Sequence, residues 1–357
     1  MKKNIIIRPS DQMTPYERRT AIQNGKETDR ILCVPFMSEL KCRISDVSVW
    51  DFWHDAKKMV ETEILVFNRF GQDRMTIGPN SRGITEALGG QSIYPENGVP
   101  YIEEIFLKEH SKLDILEPPS AGHPRLQTFF QAAELLNTAA AGLVPMEASI
   151  GGPFTIASNL RGVENLLRDC RKAPEFVHRL MRLVTDTQKS CIDAIANYEM
   201  GIAMADPVAN PALIGPKFYE TFVYPYTKEL TEYAYKKTGQ KVSLHMCGKT
   251  YRIWEYLKTY QLNELSLDNI IDLDKAADEL GDFIPIAGNV DPVNIVMNGT
   301  KEEITNAVHA CIASGQKSKK GYTLATGCDL PHTTAFQKID WFMEAARTFP
   351  YKINYVK

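Results

Sequence analysis

The chain has no apolar run approaching the roughly 18 to 20 residues that a membrane span requires. Its opening, MKKNIIIRPSDQM, is broken by polar residues before a signal-peptide core could be completed. A cytoplasmic protein with no membrane partner is the expectation. A strong charge of either sign is also missing: the formal net charge is −3, which provides no electrostatic reason for a nucleic-acid partner. Nor is there a disulfide framework, because the seven cysteines are odd in number and scattered, and a chain of this length needs no staples. No internal repeat, low-complexity tract or flexible linker divides the sequence. What remains is a protein with a small-molecule or protein partner, whose reduced thiols are free to hold metal.

What is present is a chain of 357 residues, 44% hydrophobic and 24% charged, enough to bury a large core. Short apolar or β-branched runs bounded by Gly, Pro or Asp begin at Ile31, Glu63, Leu143, Met200, Lys241, Leu262, Phe283 and Gly321. Eight such runs, most followed by a helical pattern, predict an α/β fold, a TIM-type (β/α)8 barrel. Among the helices, PEFVHRLMRLVTDTQKSCIDAIANYE carries Pro174 in its first turn, and Pro225 predicts a break inside PKFYETFVYPYTKELTEYAYKKTG. The stretch from about 72 to 141 is longer than one crossover helix needs. It is expected to be an insertion in a single barrel domain spanning 1–357, forming a lid or rim over the C-terminal mouth.

The residues that point to chemistry are His245 and Cys247 in KVSLHMCGKT and Cys328 in GYTLATGCDLP. Alternate side chains of a strand share a face, so His245 and Cys247 can grip one ion while Cys328 arrives from elsewhere. One imidazole and two thiolates suit zinc, and three protein ligands leave a coordination position open, as catalytic sites do. Active sites of such barrels lie at the C-terminal strand ends. There the sequence places Glu39, Asn68, Glu147, Asp206, Asp268, Asn289, Asp291 and Asp329 beside the three ligands. Asp206, Asp268, Asn289 and Asp291 are candidates for catalytic or ligand-orienting roles, although each also fits a turn. Glu147 and Asn68 are candidates for substrate contact, and His332 is expected to flank the last helix. A zinc ion with two thiolates and a neutral imidazole carries no net charge. It is a weak Lewis acid and a good place to hold an incoming thiol as thiolate, which suits alkyl transfer to sulfur better than hydrolysis.

The segments MTPYERRTAIQNGKETDRI, GGPFTIAS, ADPVANPALIGPKFYETFVYPY, HMCG, SLDNIIDL, AGNVDP and TGCDLP resemble the uroporphyrinogen decarboxylase superfamily over nearly the whole chain. Within it, they resemble the zinc methyltransferases that act on methylated corrinoid proteins. The H-x-C…C signature of that branch falls on His245, Cys247 and Cys328. The resemblance implies Zn2+ in the chain and a methylcobamide corrinoid supplied by a partner protein. The methyl group would pass to a small acceptor, a thiol such as coenzyme M. The same centre working on the ether oxygen of a methoxylated compound, as a corrinoid-dependent O-demethylase, is an alternative. Metal-free porphyrinogen decarboxylation is another, but FMSELKCRISDVSVWDF offers Arg43 alone where decarboxylases carry an arginine-rich clamp, and only Asp73 lies near the position of their aspartate loop.

Overall fold

A computed structural model describes residues 5–96 and 98–350. Its strands are β1 (Cys33–Val34), β2 (Met75–Ile77), β3 (Ser92–Ile93), β4 (Tyr101–Ile102), β5 (Met146–Ser149), β6 (Gly201–Ala205), β7 (Val242–Met246), β8 (Leu262–Leu267), β9 (Ile286–Val290) and β10 (Tyr322–Thr326). Eight of them form one parallel sheet in the order β1-β10-β9-β8-β7-β6-β5-β2, a TIM-type barrel wrapped by helices. Among the described residues no helix is long and apolar enough to cross a membrane.

Seven of the eight runs expected to be strands are strands, and the run at Glu63 is the exception. It lies in the helix Ala56–Phe70, capped by Asp55, which accepts from the Lys57 and Lys58 N–H groups, and ended by Gly71 in the left-handed conformation. Buried Met59, Val60, Ile64, Phe67 and Phe70 recur at helical spacing. Each fully buried apolar side chain is worth roughly 1.5–3 kcal/mol against the sheet, which outweighs the local strand preference of the β-branched residues within EILVF. The second barrel strand is instead β2, three residues long and inside the stretch expected to be an insertion. Asn68, expected at a strand end, therefore sits in the last turn of that helix and accepts the Ile6 N–H at 2.9 Å. A helix that runs back antiparallel to the strands puts its last turn at the end of the barrel away from the mouth.

Between β2 and β5 lie the helix Asn80–Ala87, the antiparallel β3–β4 pair and the helix Pro124–Ala140, which returns the chain to the sheet. Tyr94, beside β3, packs edge-on against Trp50 and His54, so this hairpin joins the rim formed after β1. At Pro225 the break is realised: a wide turn, Tyr219–Val223, gives way to the helix Tyr224–Thr238.

β1 and β2 are the two edges of the sheet, and Asp73 joins them. Its N–H donates to the Cys33 carbonyl at 3.0 Å, and its carboxylate accepts the Cys33 N–H at 2.7 Å. Arg18 and Arg30 both pair with that carboxylate. They also pair with Asp29 at 2.6 Å and Asp11 at 3.0 Å respectively, and Arg347 reaches Asp11 at 2.8 Å. Burial works against the Asp11 charge, yet Arg347 and Arg30 bring its pKa down to about 2.

Candidate metal centre

β7 carries His245 inward and ends at Met246, so Cys247 follows on the same face at the mouth. Gly248 then turns the chain at φ 76°, and its N–H is held by Asp268 at 2.7 Å. A left-handed residue is needed there, and a Cβ at this position would also collide with Asn210. Cys328 follows β10 by one glycine, Gly327, whose N–H donates to the Val290 carbonyl at 2.8 Å. Strands β7 and β10 are three apart in the sheet, and barrel curvature brings their ends together.

The result is one group of ligand atoms, all within 4.8 Å of one another. The Cys247 and Cys328 sulfurs lie 3.8 Å apart, and the His245 Nε2 lies 3.1 Å from the Cys247 sulfur. Two sulfurs on a tetrahedral zinc at about 2.3 Å each are themselves about 3.8 Å apart, so the sulfur pair already has the spacing such an ion needs. Ser266, one strand over and in register with His245, meets Nδ1 at 2.9 Å. That contact leaves Nε2 facing the sulfurs. Among the described residues no other His, Cys, Asp or Glu joins this group. His332 stays outside it, its carbonyl accepting from Arg43 at 2.7 Å.

Electrostatically the sulfur pair is unfinished. The hydrogen bond between them, helped by His245, pulls the Cys328 thiol far down, while the same bond and burial push Cys247 far up. A second thiolate beside the first is favoured by a cation, and a soft divalent ion fits two thiolates and an imidazole.

The other candidates divide. Glu147 is buried on the inner face of β5 and lines a cavity of about 320 Å³ beside His245. Asp206 lies at the end of β6 but is turned away from that cavity. It accepts from the Thr155 N–H at 2.8 Å, the Thr155 hydroxyl at 2.6 Å and the Phe154 N–H at 3.3 Å. In doing so it caps the helix Pro153–Arg161, whose own N-cap, Gly152, has no side chain to offer. Gly152 is also required sterically, since a Cβ there would lie 2.2 Å from the Asp206 Cβ. Burial raises the Asp206 carboxyl to about 6 despite those donors.

Asn289 donates to the carbonyls of Asp268 at 3.0 Å and Ile271 at 2.7 Å. Asp291 accepts from Val293 and Asn294 N–H at 2.9 and 2.8 Å, capping the turn that follows β9. Asp268 anchors Gly248 and accepts the Ile270 N–H at 3.1 Å. The orienting contact on His245 comes from Ser266. Ser266 and Glu264 were missed by sequence reading, although their alternation in LNELSL puts both on one strand face.

A parallel barrel whose mouth gathers His245, Cys247 and Cys328 defines a class: a (β/α)8 protein with a His/Cys/Cys group that could hold a metal ion. The chain belongs to the uroporphyrinogen decarboxylase (URO-D) family, whose sequence model it matches over residues 14–349. It is 25% identical over 345 residues to a methylcobamide:CoM methyltransferase of Methanosarcina acetivorans, covering 95% of this chain and 99% of that one. With a methylated-thiol–coenzyme M methyltransferase of Methanosarcina mazei it shares 27% over 210 residues, 58% of this chain and 54% of that one. Its fold superposes on a methyltransferase from Methanosarcina mazei with TM-score 0.82 at 18% identity, covering 94% of this chain and 98% of that one.

Proposed function

We propose that the protein is a zinc-dependent methyltransferase that moves a methyl group between a corrinoid protein and a small thiol acceptor. The observation that carries this reading is the His245, Cys247 and Cys328 group at the barrel mouth, whose three ligand atoms lie within 4.8 Å of one another. The relatives named for methylcobamide and coenzyme M add the chemistry, and coenzyme M is the acceptor those names supply. When bound, zinc provides a positive centre that keeps the acceptor sulfur deprotonated at neutral pH.

The chain's own residues then do three things. Ser266 fixes the imidazole so that Nε2 is the ligand nitrogen, Asp268 holds the Gly248 turn that aims Cys247, and the cavity beneath His245 receives the remainder of the acceptor. The acceptor thiol gives its proton to solvent. Its sulfur lone pair forms the new C–S bond as the cobalt–carbon bond breaks, with that electron pair left on cobalt as Co(I). A partner carrying the corrinoid would meet a rim from which Trp50, Leu213, Ile270 and Val293 project, each 44–54% exposed, on segments that follow β1, β6, β8 and β9.

Decarboxylation of a polycarboxylate is the weaker reading. Arg43 is spent on the His332 and Thr334 carbonyls, Arg82 faces Glu39 and Arg74 faces Glu147 and Glu264. Asp73 is locked in the seam beneath the barrel. Among the described residues no set of free arginines is left in the cavity to clamp several carboxylates.

The test is metal analysis followed by X-ray absorption at the zinc edge, with and without small thiols. The expected result is about one zinc per chain with two sulfur ligands, rising to three on addition of thiol. A metal-replete preparation that retains no zinc would overturn the proposal.

A further inference from the structure

The cavity beneath His245 is unevenly charged. Its floor is Arg74, Glu147, Ser243 and Glu264. Arg74 meets Glu147 at 3.1 Å and Glu264 at 3.0 Å, and Ser243 donates to Glu147 at 2.6 Å, so one guanidinium serves two carboxylates. Both Glu147 oxygens are engaged. Glu264 has one oxygen on Arg74, while the other takes no hydrogen bond among the described residues, although the side chain is only 8% exposed.

The other two cations of the wall are already used: Lys41 lies 2.6 Å from buried Glu63, and Arg82 lies 3.4 Å from buried Glu39. Asp329, at the rim of the same cavity, has no ion-pair partner among the described residues. Among the described residues three cations thus face five carboxylates, and a largely buried carboxylate with one oxygen still accessible is suited to a positive partner.

We infer that the small substrate entering this cavity carries a protonated nitrogen that docks on Glu264, so that the acceptor is an aminothiol rather than a sulfonated or carboxylated thiol. The inference rests on the thiol-acceptor reading above and sets an aminothiol in place of the coenzyme M that the relatives' names supply. The geometry suits a short molecule. His245 pairs with Ser266, and Glu264 is two residues before Ser266 on the same strand, which sets the carboxylate layer about 7 Å below the ligand layer. Sulfur at the centre and nitrogen at the floor are then joined by two to four carbons. A sulfonate in the same place would face Glu264, with no unpaired cation among the described residues of the lining to receive it.

The experiment uses the zinc-loaded full chain, or its cobalt-substituted form for the visible spectrum. It compares thiols of matched length: 2-aminoethanethiol, 2-mercaptoethanol and 2-mercaptoethanesulfonate. The expected order is amino, then hydroxyl, then sulfonate, with the aminothiol favoured about ten- to a hundredfold over the hydroxyl compound, the worth of a hydrogen-bonded charge pair. In Glu264→Gln that preference falls to within about twofold. Tightest binding of the sulfonate or the neutral thiol to the wild-type protein overturns the inference and leaves the methyltransferase reading standing, as does a preference that survives Glu264→Gln. If no thiol of any charge alters the metal spectrum, the thiol-acceptor reading itself is wrong and the inference goes with it.

Discussion

At one end of the barrel Arg18, Arg30 and Arg347 meet Asp11, Asp29 and Asp73, and each arginine also donates to a main-chain carbonyl. At the other end two sulfurs and an imidazole meet one another, and the bond between the sulfurs drives the two thiols in opposite directions. Both clusters are polar, both join strands distant in sequence, and both lie largely inside the fold. The difference is completeness. A buried network in which opposite charges are matched holds structure together and has nothing to offer a ligand, whereas an unmatched one is poised to take something in.

The largest effect expected from breaking that contrast is at the seam. Asp73→Ala leaves two buried guanidinium groups short of a partner and frees the Cys33 N–H, so stability measured by urea unfolding should fall by roughly 3–5 kcal/mol. Zinc stoichiometry of the folded fraction should not change. Cys328→Ala should do the reverse. If four ligands supply about 10–16 kcal/mol, losing one costs roughly 3–4 kcal/mol, a 10²–10³-fold weaker zinc affinity in competition with a chelator. Unfolding of the metal-free protein should move little.

Asp206 sharpens the comparison because it sits at the mouth yet behaves like the seam. Its folded-state pKa, about 6, lies above the ordinary 3.8, so the folded protein binds the proton more tightly than the unfolded chain. Its contribution is therefore greatest below about pH 4 and is lost as pH rises through about 6, by at most about 3 kcal/mol. The difference in unfolding free energy between wild type and Asp206→Asn should trace that slope between pH 4 and 7; a flat difference would show that the Thr155 and Phe154 donors fully offset burial. The smallest change is Ser266→Ala. Losing the contact to the His245 Nδ1 should weaken zinc about 10- to 100-fold without altering the number of sulfur ligands seen by X-ray absorption.

Much of this contrast was legible in the sequence, and unevenly so. The grouping of His245, Cys247 and Cys328 was readable because H-x-C needs only strand alternation, and the barrel was readable because most strands are continuous apolar runs. β2 was not, because three residues before Gly78 and Pro79 make almost no pattern, while EILVF nearby imitates a strand. The Asp55 cap and Gly71 stop that mark a helix there were present in the sequence and outweighed by that imitation. Asp291 before Pro292 carried a local capping signal. The cap made by Asp206 was invisible, since its partners lie 51 and 52 residues earlier. The same holds for Ser266 and Glu264: their partners, His245 on β7 and Arg74 just before β2, are known only once the sheet has its order.

The seam has a further consequence for how the molecule is made. Asp11 is fastened by Arg347, 336 residues downstream, on the helix Phe336–Thr348. A ribosome delivers the first of these residues long before the last, so during synthesis the growing chain holds a cuff whose fastening has not yet emerged. Closure of the barrel is thereby postponed until the helix Phe336–Thr348 has emerged. The group at the mouth obeys the same timetable, because Cys247 waits for Cys328, and the three side chains come together only as the cuff closes.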